Sequence, residues 1–408
     1  MSRIKVFLLV LLIFQSILVA KVVPINEKWL ELDQSNMINL IKVIKSKSSD
    51  INFYKKNLKR FSIENEKELG FGVKKVEAVQ YGGYISNERS EFEDSNIAIL
   101  NMKLNTLNYN TKFNLPKLGN LETIIGIQGM HQTNENYGEE YLIPNAITND
   151  FGVFGTANYE WKMNVIQAGL RFDNRYISSC EYGIFGEEGY FDNLNKTFNS
   201  FNASLGYKSN LGDNLILRIN LASGFRAPNL AELTSNGVHE GTNRYEIGNS
   251  NLKTEQNIQT DLNLEYNSKH FEFFINGFYN HVNNYIYTSP TGTQIEDNDV
   301  YNYIQNEAKL FGGEIGVHLH PHPLDWLHFE SSFETVTGEK QNGDYLPLIP
   351  ANNWNNTIRL EFDNNWLSDG FASFNISSTF NQNNVSGFET TSNGYTLMNI
   401  GFGGKLQI

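Results

Sequence analysis

The side chains in this sequence best suited to metal chemistry are histidines. His318, His320 and His322 fall within the run from Val317 to His328, which also holds Pro321, Pro323, Asp325 and Trp326. On a strand, residues two apart share a face, so His318 and His320 project together. His328 and Glu330 share the matching face of the next strand. Imidazole and carboxylate groups suit Zn, Cu, Ni or Fe, and cross-strand neighbours sit close enough to share an ion. His318, His320, His328 and Glu330 are therefore candidate metal ligands. The same residues also serve as ordinary polar wall residues beside a proline-marked turn. A second set, His239, Glu240 and Tyr245, lies in a long polar stretch and supplies candidate ligand contacts. The sequence has no Ser/His/Asp arrangement, no zinc-protease helix motif and no phosphate-cradling glycine loop. Cys180 is the single cysteine, which excludes an intrachain disulfide framework and a cysteine metal site. The reading is a protein that is not an enzyme and carries no resident cofactor.

The elements that must position these residues alternate in character. Leu215, Leu217, Ile219 and Leu221 take one face against Arg218 and Asn220. Phe271, Phe273 and Ile275 oppose Glu272 and Asn276; Ile315, Val317 and Leu319 oppose Glu314 and His318. A side chain changes face at each strand residue, so each such segment has one apolar and one polar wall. Short connections, such as 116–120, 210–213, 321–325 and 363–369, alternate with long polar ones at 134–148, 178–197, 224–253, 287–304 and 339–352. That layout predicts an all-β, transmembrane antiparallel barrel with tight turns at one end and long loops at the other, and about fourteen strands of spanning length. Aromatics make up 13% of the chain, with 28 Phe and 20 Tyr. Tyr159, Trp161, Tyr266, Tyr285, Trp326 and Trp354 recur near span edges, as interfacial girdles require.

The termini read differently. Residues 1–20 combine Arg3 and Lys5 with a short apolar run and a small final residue, the pattern of a signal peptide. Residues 21–76 are basic, with Met37, Leu40, Ile41 and Ile44 at helical spacing, and read as a short helical leader or linker. Residues 77–408 form the barrel. The net charge of −13 disfavours nucleic acid as a partner.

One segment is specific. Residues 224–229 read Gly224, Phe225, Arg226, Ala227, Pro228, Asn229, followed by Glu232 and Leu233, then Gly248, Asn249, Leu252 and Glu255. This resembles the barrel signature of TonB-dependent outer-membrane receptors, especially those of Bacteroidetes-type bacteria. Gly224 and Pro228 are expected to break the strand at the barrel rim. Arg226 and Glu232 are expected to pair with each other or with an internal domain. The resemblance implies a monomeric outer-membrane receptor of a Gram-negative cell, in contact with outer-membrane lipid. It implies energy-coupled uptake of a ferric siderophore or other metal-chelate ligand, driven by a TonB-type inner-membrane complex. Family barrels have about 22 strands and an N-terminal plug. Residues 21–76 show no recognisable plug, and Ile408 stands where a terminal aromatic is usual. The expectation is a truncated receptor lacking its C-terminal strands. The alternative is a passive fourteen-strand channel of porin or fatty-acid-transporter type.

Overall fold

The structure is a computed structural model. It describes residues 61–65, 76–91, 100–138, 140–186, 189–239, 242, 244–364 and 367–406. The expected signal peptide and most of the leader lie outside the described residues. Within the stretch read as a helical leader or linker, Phe61–Asn65 is a strand, β1, paired antiparallel with β2 (Val76–Glu91), while Met37, Leu40, Ile41 and Ile44, which carry the helical spacing, lie outside the described residues.

From β2 onward the chain weaves up and down. The strands are β3 (Leu100–Asn114), β4 (Leu121–Asn136), β5 (Ala146–Trp161), β6 (Asn164–Ser179), β7 (Leu194–Asn210) and β8 (Leu215–Arg226). A rim excursion follows, with helix α1 (Leu230–Thr234) and the short strands β9 (Asn236–His239) and β10 (Arg244–Ile247). The wall then resumes with β11 (Glu255–Asn267), β12 (Phe271–Ile295), β13 (Asn298–Leu319), β14 (Leu327–Lys340), β15 (Asn353–Phe362), β16 (Leu367–Thr379) and β17 (Tyr395–Leu406). Each wall strand is antiparallel to the next, and β8 pairs directly with β11 across the excursion. The described wall contains 14 strands of ten residues or more, as the alternation predicts. In hydrocarbon every backbone donor and acceptor needs a protein partner, which a strand-to-strand ladder supplies.

The two faces differ as a lipid-embedded wall demands. Leu170, Phe172, Phe201, Leu205, Ile219, Leu221, Ile258, Leu262, Ile275, Ile315 and Ile358 are all exposed, on one side. Their strand neighbours Asp173, Ser200, Asn202, Asn220, Asn263 and Glu314 take the other. An apolar surface this extensive is a liability in water but the proper outer surface in a bilayer. Tyr159, Trp161, Trp326 and Trp354 are exposed near strand ends, as girdle residues should be. Tyr285 is not; it packs against Val282, Ala308 and Leu346.

Two details differ from expectation. The polar stretch 287–304 is no open loop: β12 and β13 continue through it as a hairpin closed at Glu296 and Asp297, both with left-handed φ (48° and 61°). The ladder slips between Val282 and Tyr285, where Asn284 has φ 58°, so a bulge separates the spanning part from the projecting part. The second detail is Gly224, which does not break β8. The strand runs on to Arg226 and ends before Ala227 and Pro228.

Candidate functional site

At the long-loop end, Arg226 and Glu255 close the β8–β11 ladder as a registered pair. Arg226 Nε and Nη2 donate to the Glu255 carboxylate at 2.6 and 2.7 Å, and Nη1 donates to Glu232 Oε1 at 2.6 Å. The forked guanidinium thus holds two carboxylates at once, a geometry lysine cannot supply. Glu232 also caps the helix: its Oε2 accepts from the Asn229 N–H and its own N–H donates to Asn229 Oδ1, each at 2.8 Å. Glu255 Oε1 accepts from the Ile286 N–H at 2.5 Å. The expected Arg226–Glu232 pairing is present, and Glu255 is the third member.

The remaining signature residues pack this turn onto the rim. Pro228 is fully buried, and Ala227, Leu233 and Leu252 join Ile177, Leu194, Phe198 and Ile286 in a small apolar core. Gly248 and Asn249 lie against the C-terminal end of α1, their N–H groups donating to Ser235 O (2.7 Å) and Glu232 O (2.8 Å). A Cβ on Gly248 would sit 2.6 Å from the Ser235 nitrogen, so no other residue fits there. Phe225 packs against the same core.

The outer-loop candidates separate. Tyr245 is 2% exposed and its hydroxyl donates to Asn236 Oδ1 at 3.0 Å, so its ring packs within the loop. His239 Nδ1 lies 3.1 Å from Glu246 Oε1, and Tyr303 donates to Glu246 Oε2 at 2.8 Å. Burial pushes the Glu246 carboxyl up, but the His239 and Tyr303 hydrogen bonds and the Arg244 charge outweigh it and leave it below its ordinary value. Glu240 lies outside the described residues. Beneath the rim, the polar wall carries a cavity of about 520 Å³ whose lining includes Asn108, Gln128, Asp150, Arg171, Asp173 and Arg226. Arg175 donates two 2.6 Å hydrogen bonds to Asp150, and Arg171 pairs with Asp173.

The histidine candidates gather at the short-turn end. His318 Nε2 and His328 Nδ1 are 3.0 Å apart, and the His318, His320 and His328 ring centroids are 5.3 Å from one another. Glu330 stands opposite His318 in the β13–β14 register but forms no hydrogen bond or ion pair with a histidine among the described residues. Sequence spacing missed His270, from the β11–β12 turn, whose ring centroid lies 5.3 Å from that of His320. It missed Asp325 as well, whose carboxylate lies 3.2 Å from His270 Nδ1. Only the β12–β13 pairing brings that turn alongside, so a signal along the chain could not reveal it.

A one-layer antiparallel wall with apolar outside, polar inside, tight turns at one end and folded loops at the other defines a transmembrane β-barrel of the outer-membrane type. The model of the TonB dependent receptor-like beta-barrel family matches residues 48–407, and the chain belongs to that family. Barrels of the family are outer-membrane proteins of Gram-negative bacteria, and the family consists of receptors and transporters. Similar solved structures include the copper transporter OprC, at 16% identity and TM-score 0.66, covering 80% of this chain and 54% of that one. The FrpB iron transporter from Neisseria meningitidis shows 14% identity and TM-score 0.59, covering 84% and 54%. The siderophore receptor PirA from Acinetobacter baumannii shows 15% identity and TM-score 0.57, covering 84% and 55%. At such identities the likeness is one of fold. The chain spans about half the length of each of these structures.

Proposed function

We propose that this chain supplies barrel wall and rim for a receptor that takes up a ferric siderophore or another metal complex across the outer membrane, with energy from a TonB-type inner-membrane complex. The observation that carries the reading is the Arg226–Glu232–Glu255 clamp. It fastens the longest rim excursion, 227–254, over a polar, charge-lined wall, where a captured ligand would enter. Iron, copper and siderophore proteins among the structural neighbours support metal complexes as the cargo class. The work required is capture and release, with no bond made or broken in the cargo. In the outer membrane the protein works as a single receptor, contacting lipid through its apolar face.

The test is uptake of radiolabelled ferric chelates by cells producing the protein, with the inner membrane energised or uncoupled. Uptake that rises with the protein and stops on uncoupling supports the reading. Uptake that ignores uncoupling, together with steady conductance of the purified protein in a planar bilayer, would establish a passive channel instead.

A further inference from the structure

Five of the eight histidines in the chain lie at the short-turn end, far from the long loops. His270 comes from the β11–β12 turn, His318 from the end of β13, His320 and His322 from the β13–β14 turn, and His328 from the start of β14. The His270 ring meets that of His320 edge-on, with centroids 5.3 Å apart, and lies tilted against that of His322 at 5.6 Å. His320 is in turn 5.3 Å from both His318 and His328. Acids border the group: Asp325 against His270 (3.2 Å) and His322 (2.9 Å), Glu272 against His318 (3.6 Å), and Glu361 against His328 (3.5 Å).

Two features separate this group from polar wall residues that happen to be neighbours. First, His270 Nδ1 and His328 Nε2 are buried and make no hydrogen bond, although a carboxylate lies beside each. Buried polar atoms are seldom left in this state. Second, one ring nitrogen from each of His270 and His320 and one carboxylate oxygen of Asp325 lie within 4.8 Å of one another. Donors around a four-coordinate ion with bonds of about 2.0–2.2 Å stand roughly 3.5 Å apart. A contraction of about an ångström would be needed, and Asp325 and His322 are exposed enough to rotate by that amount. Imidazole-rich donor sets select Zn, Cu and Ni over Mg and Ca, which take oxygen ligands.

We propose that His270, His320 and Asp325, completed by His322, bind one divalent transition-metal ion of the zinc, copper or nickel class at the short-turn end of the barrel. The His318–His328 pair packs alongside, with Glu272 and Glu361 orienting its rings. The ion would tie the β11–β12 turn to the β13–β14 turn, two connections that no covalent link joins. The site is separate from the rim and stands whether or not the cargo at the rim is a metal complex.

The test uses the full chain folded in detergent micelles and freed of metal with a chelating resin. Titration with Co²⁺ as a spectroscopic probe should give visible d–d bands saturating at one equivalent, displaced by Zn²⁺ and untouched by excess Ca²⁺. His270→Ala with His320→Ala should weaken binding by roughly tenfold or more, whereas His131→Ala and His281→Ala should leave it unchanged. Absence of the bands, or equal binding by both pairs of variants, would overturn the proposal. Should the paired variant not fold, the wild-type chain carries the same question. With Zn²⁺ present, diethyl pyrocarbonate should spare His270 and His320 but still modify His131 and His281. Modification of all four alike would refute the site.

Discussion

Replacing Arg226 with Ala should loosen the rim far more than it disturbs the wall. The guanidinium is the counter-charge of both Glu232 and Glu255, whose side chains are 4% and 11% exposed. Removing one partner of a buried ion pair costs about 3–5 kcal/mol, because the remaining charge is left unpaired. Arg226 itself is 34% exposed, so solvent screens part of this, and about 2–3 kcal/mol is the better figure. With 1.4 kcal/mol per decade, opening of the 227–254 segment should become roughly 30- to 150-fold more frequent. Hydrogen exchange read by mass spectrometry on the folded chain in micelles measures this directly. Peptides from 227–254 should lose protection by that factor, while peptides from β5 and β6 should not change. Glu232→Gln keeps an acceptor for the Asn229 N–H and should cost only about 1 kcal/mol. Replacing all three charges together, by Met at 226 and Gln at 232 and 255, should recover much of the loss, since no carboxylate is then stranded. If Arg226→Ala kept rim protection within threefold of the parent protein while the wall stayed folded, the clamp argument would be wrong.

Three further outcomes can be checked on the same material. Leu221 is 50% exposed on the lipid side of β8, so Leu221→Lys should cost about 2–4 kcal/mol near the bilayer midplane, whereas Asn220→Lys on the polar wall should be tolerated; urea unfolding in lipid vesicles compares them. Gly248→Ala drives a Cβ into the Ser235 backbone nitrogen and should destabilise the α1 turn by about 1–3 kcal/mol, visible as faster proteolytic cleavage between 230 and 250. The Glu246 carboxyl is held below its ordinary value in the folded protein, so its contribution is complete above the ordinary carboxylate range of about 4 and fades as pH falls through the lowered folded value. Exchange protection across β9 and β10 should therefore begin to fall as the pH drops below about 4, and Glu246→Gln should remove that acid-sensitive component.

How far the fold was legible follows from where lipid imposes a pattern. Ile219, Leu221, Ile275 and Ile315 alternate with polar residues because a bilayer on one side and water on the other leave strands no alternative. That made the wall, its turns and its strand number readable. The β12–β13 hairpin beyond Tyr285 was not readable, because it projects past the lipid, where a strand needs no apolar face. Thr288, Ser289, Thr291 and Gly292 therefore look like loop. The rim signature located Arg226 and Glu232 six residues apart, but Glu255 joins them through strand register and not through spacing. Tyr245 shows the converse case, since an aromatic in a polar loop suggests ligand contact, whereas its ring is buried and its hydroxyl is bonded to Asn236. The histidines make the same point most sharply. His318, His320 and His328 were visible as a run, yet His270 and Asp325, which complete the proposed site, belong to two turns brought together only by the pairing of Phe271 with Leu319. Local pattern thus reveals which medium each wall residue meets, while cross-strand register decides which polar residues meet one another, and in a barrel the chemistry resides in that second relation.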